Sequence, residues 1–274
     1  MTPPYQWVGG KAAYLPTLTS LMPNNYGTYY EVFFGGGALY FHLAPKKAVL
    51  GDANQHNINF IKAMHAAPDY LFFSARDIVE RWNGSPKSER RSLFEVARKA
   101  YNERTEKGWA IVDIEQAAGF YALVRGGFNG LWRVNRKGLV NTPVGDLKDI
   151  LLDEENFFAA ARALKKALIL HGDFEQTIGS AGDGDFVFVD PPYYGMYDGY
   201  TGVKFEVAEH HRLWSTVDAA VKRGAQVMIT VNDHPYLRSL YRDFRIVEME
   251  RRQTVAAGGD SRKSEKDIVI VGGY

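Results

Sequence analysis

The chain has 274 residues, 46% hydrophobic and 24% charged, with a formal net charge of +1 and no cysteine. Such a composition builds an ordinary folded protein with a substantial core and gives no overall attraction to nucleic acid, so any such attraction must come from a local cluster. The missing cysteines exclude thiol nucleophiles, disulfides and thiolate metal sites, and no export signal or membrane-spanning apolar run is visible. A cytoplasmic chain with no membrane or metal partner is expected, with a monomer as the simplest oligomeric state.

In chain order, Trp7-Val8-Gly9-Gly10-Lys11 places paired glycines between an indole and an ammonium, ahead of a helix expected near Lys11. Tyr29 to Phe34 is strand-like and runs into Gly35-Gly36-Gly37, after which Ala38 to Leu43 opens a helix. A strand, glycine turn and helix let the backbone approach a nucleotide-like ligand closely. The third glycine of a dinucleotide fingerprint and the Gly-Lys-Ser/Thr of a P-loop are both missing, which disfavours a pyrophosphate. A second strand, Ala48 to Leu50, ends at Gly51-Asp52. That puts an acid on the order of 20 residues after the glycines, where such folds bind ribose hydroxyls; alternatively Asp52 caps a helix starting near Asn54.

From Asn54 to about Leu123 the periodicity is helical, with Ile58, Ile61 and Met64 on one face, Leu71, Ile78 and Val79 on another helix, and Leu93, Phe94, Val96 and Ala97 on a third. The segment Trp82 to Pro86 and a loop near Gly108 divide these helices. This helical stretch interrupts the strand and helix alternation as an insertion. Next, Arg125, Arg133, Arg136 and Lys137 fall in a span with no acidic residue between Glu115 and Asp146. Asn129-Gly130 and Lys137-Gly138 are turn signals, and the alternation between them predicts a short hairpin. Arginine and asparagine can read base edges, and Phe128 can wedge between bases; the alternative is a solvated hairpin covering the core.

After Asp153 an amphipathic helix to about Lys166 leads to strand Leu168 to Leu170 and then Asp173-Phe174, suited to an adenine amino group and ring face, or a helix cap at Asp173. Phe186 to Val189 reads as a buried strand that stops at Asp190-Pro191-Pro192-Tyr193. The first proline disfavours helical backbone at Asp190, so a carboxylate, a stiff turn and an aromatic ring project from a strand end. That arrangement suits a flat, amino-bearing ring. Tyr194 to Gly202 reads as a lid over the site or as an ordinary long loop. A helix over Val207 to Val221, a strand over Gln226 to Val231, a helix near Tyr236 to Tyr241 and strands near Arg245 to Glu250 and Asp267 to Val271 follow, with a basic loop Ala256 to Lys263. Adjacent His210 and His211 cannot both face one metal.

Five of these stretches, in this order, resemble the Dam-type, alpha-group DNA adenine N6-methyltransferases: Trp7 to Lys11, Glu31 to Gly37, Gly51 to Asn54, Phe128 to Arg133 and Asp190 to Tyr193. The resemblance implies an α/β fold: a seven-stranded Rossmann-like S-adenosylmethionine-dependent methyltransferase with an inserted, mainly helical DNA-recognition domain carrying a β-hairpin. Residues 1–53 and 150–274 would form the catalytic domain, and residues 54–149 the recognition domain. The implied catalytic residues are Asp190, Pro191, Pro192 and Tyr193. S-adenosylmethionine would be bound by Trp7, Lys11, Phe33, Phe34, Gly35, Gly37, Asp52, Asp173, Phe174 and Asp190. Double-stranded DNA would be bound by Gln6, Arg125, Phe128, Asn129, Leu131, Arg133, Asn135, Arg136, Lys137 and Pro143. The chain departs from the family at Val32, where proline is usual, and at Gln6, where enzymes reading GATC commonly carry a base-reading lysine. The expected activity is methylation of N6 on a flipped adenine in a short GATC-like site. A methyltransferase for RNA adenine or a protein amide, and an inactive DNA-binding module, are the other readings.

Overall fold

The computed structural model describes residues 1–108, 112–195, 205–249 and 267–274. The lid segment from residue 196 onward and the basic loop at 256–263 lie outside the described residues, as does Glu250. Short runs of β-branched and aromatic residues form the strands β1 (Tyr29–Glu31), β2 (Ala48–Asp52), β3 (Ala167–His171), β4 (Phe186–Val189), β5 (Gln226–Asn232), β6 (Arg245–Met249) and β7 (Asp267–Gly272). They make one sheet in the order β3-β2-β1-β4-β5-β7-β6. The strands from β3 to β5 are parallel, and β7 lies antiparallel between β5 and β6. The chain winds outward from β1 to β3, then returns to β4 beside β1 and winds the other way. The point where the order reverses, between β1 and β4, is where open α/β sheets bind ligands.

Alternating side chains face opposite layers. Phe186, Phe188, Leu50 and Met228 share one core with the helical insertion, while Val187, Val189, Val49 and Ile229 pack in the other. The helices are α1 (Leu15–Leu21), α2 (Ala38–Leu43), α3 (Gln55–Ala66), α4 (Pro68–Gly84), α5 (Lys87–Glu106), α6 (Ile114–Gly126), α7 (Glu154–Leu164), α8 (Phe174–Gly179), α9 (Val207–Lys222) and α10 (Pro235–Leu240). In the insertion, α6 lies against α3, α4 and α5, and α3 also packs on β2, β3 and α7. Val96, expected on an apolar face, is 64% exposed, and α5 buries Phe94, Tyr101 and Arg90 instead. The Arg90 guanidinium donates to the carbonyls of Asn83, Ser85 and Leu147, so it joins the α4–α5 turn to the chain that follows the hairpin.

The strand expected to continue to Phe34 ends at Glu31, because the chain bends there toward the glycine turn. Glu31 is buried, and its carboxyl accepts from the Tyr29 hydroxyl at 2.6 Å and the Tyr40 backbone N–H, in the first turn of α2, at 3.1 Å. Burial pushes this carboxyl from its ordinary 4.5 up to about 8, partly offset by those two hydrogen bonds and reinforced by the nearby Asp190 charge. The folded state therefore holds a proton that the unfolded chain releases above 4.5, and the stability this gives is complete below that pH and lost as pH rises through about 8. Glu31→Gln is expected to keep the fold and to remove a slope of up to ~1.4 kcal/mol per pH unit in this window, measured by denaturant unfolding across pH. An unchanged slope would show that Glu31 folds already ionised.

Candidate active site and nucleic-acid interface

At the sheet's switch point the Asp190 carboxylate leaves the end of β4 into a set of fixed donors. The Lys11 ammonium lies 2.6 Å from Oδ1 and 2.7 Å from Oδ2, and also donates to the Gly9 carbonyl at 2.9 Å. Thr230, buried in β5, donates its hydroxyl to Oδ1 at 2.6 Å. A buried ammonium needs a counter-charge and full hydrogen bonding, and Lys11 has both. Lys11 also stands 5.1 Å from the centre of the Tyr193 ring. The Tyr193 hydroxyl bonds Asp267, which also accepts from the Tyr14 hydroxyl at 3.0 Å. Burial, with Asp190 and Asp267 beside it, holds that hydroxyl protonated well above the usual phenol range. Beyond the ring, the Asn232 amide accepts from the Tyr194 N–H at 2.9 Å and donates to the Tyr194 carbonyl at 3.1 Å. The tetrapeptide is thus held at its carboxylate, its ring and its exit.

The glycine turn lies beside it. Gly35 and Gly37 adopt φ of +49° and +66°, which side chains rarely tolerate, and a Cβ on Gly37 would enter the Phe34 ring. Both backbone groups of Gly35 are engaged. Its N–H donates to Asp52 Oδ2 at 2.8 Å, and its carbonyl accepts from Asn57 Nδ2 at 2.7 Å and from the Tyr5 hydroxyl at 3.2 Å. Tyr5 also donates to the Asn57 side chain. The helix cap that sequence alone offered to Asp52 belongs to Asn54, whose side chain accepts from the N–H groups of His56 and Asn57. Burial raises the Asp52 carboxyl against the hydrogen bonds from Asn54, Gly35 and Asn57. Trp7 covers this turn: a Cβ on Gly35 would lie 2.9 Å from its indole.

Asp173 sits just past β3, caps α8 through the Glu175 N–H at 2.9 Å, and pairs with Arg212 at 2.5 Å. The Arg212 guanidinium lies 4.5 Å from the centre of the Phe174 ring, which meets Phe33 and Phe205 at 5.7 and 6.1 Å. Asp52, Asp173 and Asp190 therefore follow the carboxyl ends of three parallel strands, beside Gly35 and Phe33. Among the described residues no group of three or more His, Asp or Glu could hold a metal, and no helix is long and apolar enough to cross a membrane.

The predicted hairpin pairs at isolated positions, Gly127 with Val144 and Val134 with Val140, rather than along regular strands. Its alternation decides which face is buried. Trp132, Val134 and Val140 point inward, Trp132 onto Phe120 at 4.6 Å and His56 at 5.1 Å, while Leu131, Arg133 and Asn135 are half-buried on the other side. Burial pushes His56 down to about 4, so it bonds Tyr101 in its neutral form. Asn102 of α5 grips both backbone groups of Val140. The Asn135 side chain accepts from the N–H groups of Lys137 and Leu139 and so builds the turn, and Arg133 donates to the side chain and carbonyl of Asn141 across the hairpin. Arg125 donates to the Leu151 carbonyl at the hairpin's base. Phe128, Asn129, Arg136, Lys137 and Pro143 are exposed. Gln6 lies against Gly130, and two adjoining clefts of about 180 and 310 Å³ open here, both lined by Gln6, Arg125, Gly127 and Asp146.

The sequence alone does not mark Tyr5, Asn57, Arg212, Thr230, Asn232 or Asp267 as site residues. Each is an isolated polar residue or tyrosine within a helix, a strand or a loop, and only the tertiary fold brings it to the site.

The sequence matches the family model of the D12 class N6 adenine-specific DNA methyltransferases over residues 7–255. It is 33% identical to a type II methyltransferase of Lactococcus lactis subsp. cremoris, an alignment covering 97% of this chain and 93% of that one. It is 28% identical to a type II methyltransferase of Methanocaldococcus jannaschii, covering 94% of both chains, and 24% identical to the DNA adenine methylase of Vibrio cholerae, covering 97% and 94%. With the carboxylate, turn and ring standing at the switch point of a seven-stranded sheet, the chain belongs to the D12 class of N6 adenine-specific DNA methyltransferases.

Proposed function

We propose that the chain moves a methyl group from S-adenosylmethionine to N6 of an adenine flipped out of duplex DNA, within a short GATC-like site read by the segment 54–149. The observation that carries this reading is the Asp190 carboxylate, fixed at 2.6 Å from both Lys11 and Thr230 beside the Tyr193 ring. The residues at the strand ends suit the cofactor: Asp52 for ribose hydroxyls, Asp173 with Phe174 and Phe33 for the adenine, the Gly35 to Gly37 backbone beneath it, and Trp7 and Lys11 toward the methionine end. When bound, S-adenosylmethionine supplies an electrophilic methyl group.

The exocyclic amine of adenine is a poor nucleophile because its lone pair is delocalised into the ring. The Asp190 carboxylate accepts one amino hydrogen and the Pro191 carbonyl the other, which localises the lone pair on nitrogen. Tyr193 offers a face for the flipped base, and the prolines keep carbonyl and carboxylate in fixed relation. Placement and preset charge do most of the work. Flipping costs a few kcal/mol, offset by stacking on Tyr193 and by phosphate contacts from Arg136 and Lys137 at the hairpin turn. Phe128, 52% exposed, is placed to wedge into the stack, with Asn129 beside it and Leu131, Arg133 and Pro143 along the hairpin as base contacts. Gln6, at the hairpin's base, sets the choice at one further base.

Asp190→Ala is expected to lower methyl transfer to duplex DNA by more than roughly a hundredfold, measured as labelled methyl incorporated; near-normal turnover would overturn the assignment. Arg133→Ala is expected to lose roughly 1–3 kcal/mol of discrimination at a single base of the site, measured with a panel of substituted duplexes. A uniform loss across the panel would make Arg133 a phosphate contact.

A further inference from the structure

Of the two polar side chains that β5 turns toward the tetrapeptide, the mechanism above uses Thr230 only as a contact of Asp190 and does not use Asn232. Thr230 and Asn232 lie two residues apart on one strand and therefore on the same face. Thr230 is fully buried and donates to Asp190 Oδ1 at 2.6 Å. Asn232 holds the Tyr194 peptide groups from both sides, at 2.9 and 3.1 Å. Between these two grips run Pro191, Pro192 and Tyr193. Beyond Asn232, Tyr194 is packed by His234 at 4.5 Å, Tyr236 at 4.8 Å and His210 at 5.5 Å, so the exit of the turn has little freedom to shift.

We propose that Thr230 and Asn232 are positioning residues for adenine methylation, holding the tetrapeptide from the neighbouring strand at its carboxylate and at its exit. Lys11 fixes the charge of the site but reaches both carboxylate oxygens, so it leaves the plane of the carboxylate free to tilt about the bond to Cβ. The Thr230 hydroxyl, at one oxygen alone, sets that tilt. Asn232 sets the distance from Asp190 to the Tyr193 ring by fixing the next peptide. The inference rests on the proposed role of Asp190 as the acceptor of one amino hydrogen.

The test is single-turnover methylation of a duplex by the intact protein. Thr230→Val keeps the β-branched shape and removes only the donor; Asn232→Leu removes both backbone grips. Each is expected to slow the step ~10- to 100-fold, with affinities for duplex and S-adenosylmethionine and the unfolding midpoint unchanged, and Thr230→Ser is expected to restore the rate. A rate near wild type in Thr230→Val or Asn232→Leu, or a loss matched by lost binding or stability, overturns the inference. Asp190→Ala separates the two levels: near-normal turnover in that variant would remove the assignment of Asp190 itself, whereas an inactive Asp190→Ala beside a fully active Thr230→Val removes only the role of β5.

Discussion

The ion pair between Lys11 and Asp190 joins the first residues of the chain to the end of β4, and the arrangement of the site follows from it. Lys11 is only 5% exposed, and a buried ammonium is tolerated only where a counter-charge and hydrogen bonds replace water. Asp190 and the Gly9 carbonyl do this, which pins the segment before them. Along that segment Trp7 lies on the glycine turn and Gln6 against Gly130 of the hairpin. One short stretch thus touches, in order, the hairpin, the glycine turn and the Asp190 carboxylate.

The same stretch is packed into the insertion by aromatic rings. Phe120 of α6 meets Tyr5 at 5.5 Å, Phe60 at 5.6 Å and Trp132 at 4.6 Å. These rings belong to the core that also includes Phe186 and Phe188 of the sheet, so the base of the hairpin and the end of β4 share one close-packed unit. A site that must read DNA at one place and react at another depends on such a fixed offset. Arg125, Arg133, Arg136 and Lys137 gather positive charge on the hairpin and at its base, a local excess that the net charge of +1 conceals.

Much of this was legible in the sequence, and the part that was not has a common cause. The tetrapeptide and the glycine turn before Asp52 announce themselves because Pro restricts the backbone where it stands and Gly permits conformations closed to other residues. The helical interruption was visible as a change of period. The antiparallel seat of β7 between β5 and β6 was not, because strand order is set by tertiary packing rather than local pattern. Thr230 and Asn232 read as unremarkable polar residues in and at the end of a strand until β5 is seen beside β4. Asp52 and Asn54 illustrate the limit at short range: both are good helix caps, and only the Gly35 N–H decides that Asp52 faces the glycine turn while Asn54 caps α3. The alternation between Asn129-Gly130 and Lys137-Gly138 predicted a short hairpin; local bonds from the Asn135 side chain compete with the ladder and leave isolated bridges.

The most direct test of the central claim, that the end of β4 is an adenine N6 site addressed by the hairpin, is modified-base sequencing of DNA from cells that express the protein. The account predicts N6-methyladenine confined to one short sequence context and absent from control cells. Methylation on cytosine, N6-methyladenine scattered without a common context, or no new modification in cells containing the folded protein would contradict it.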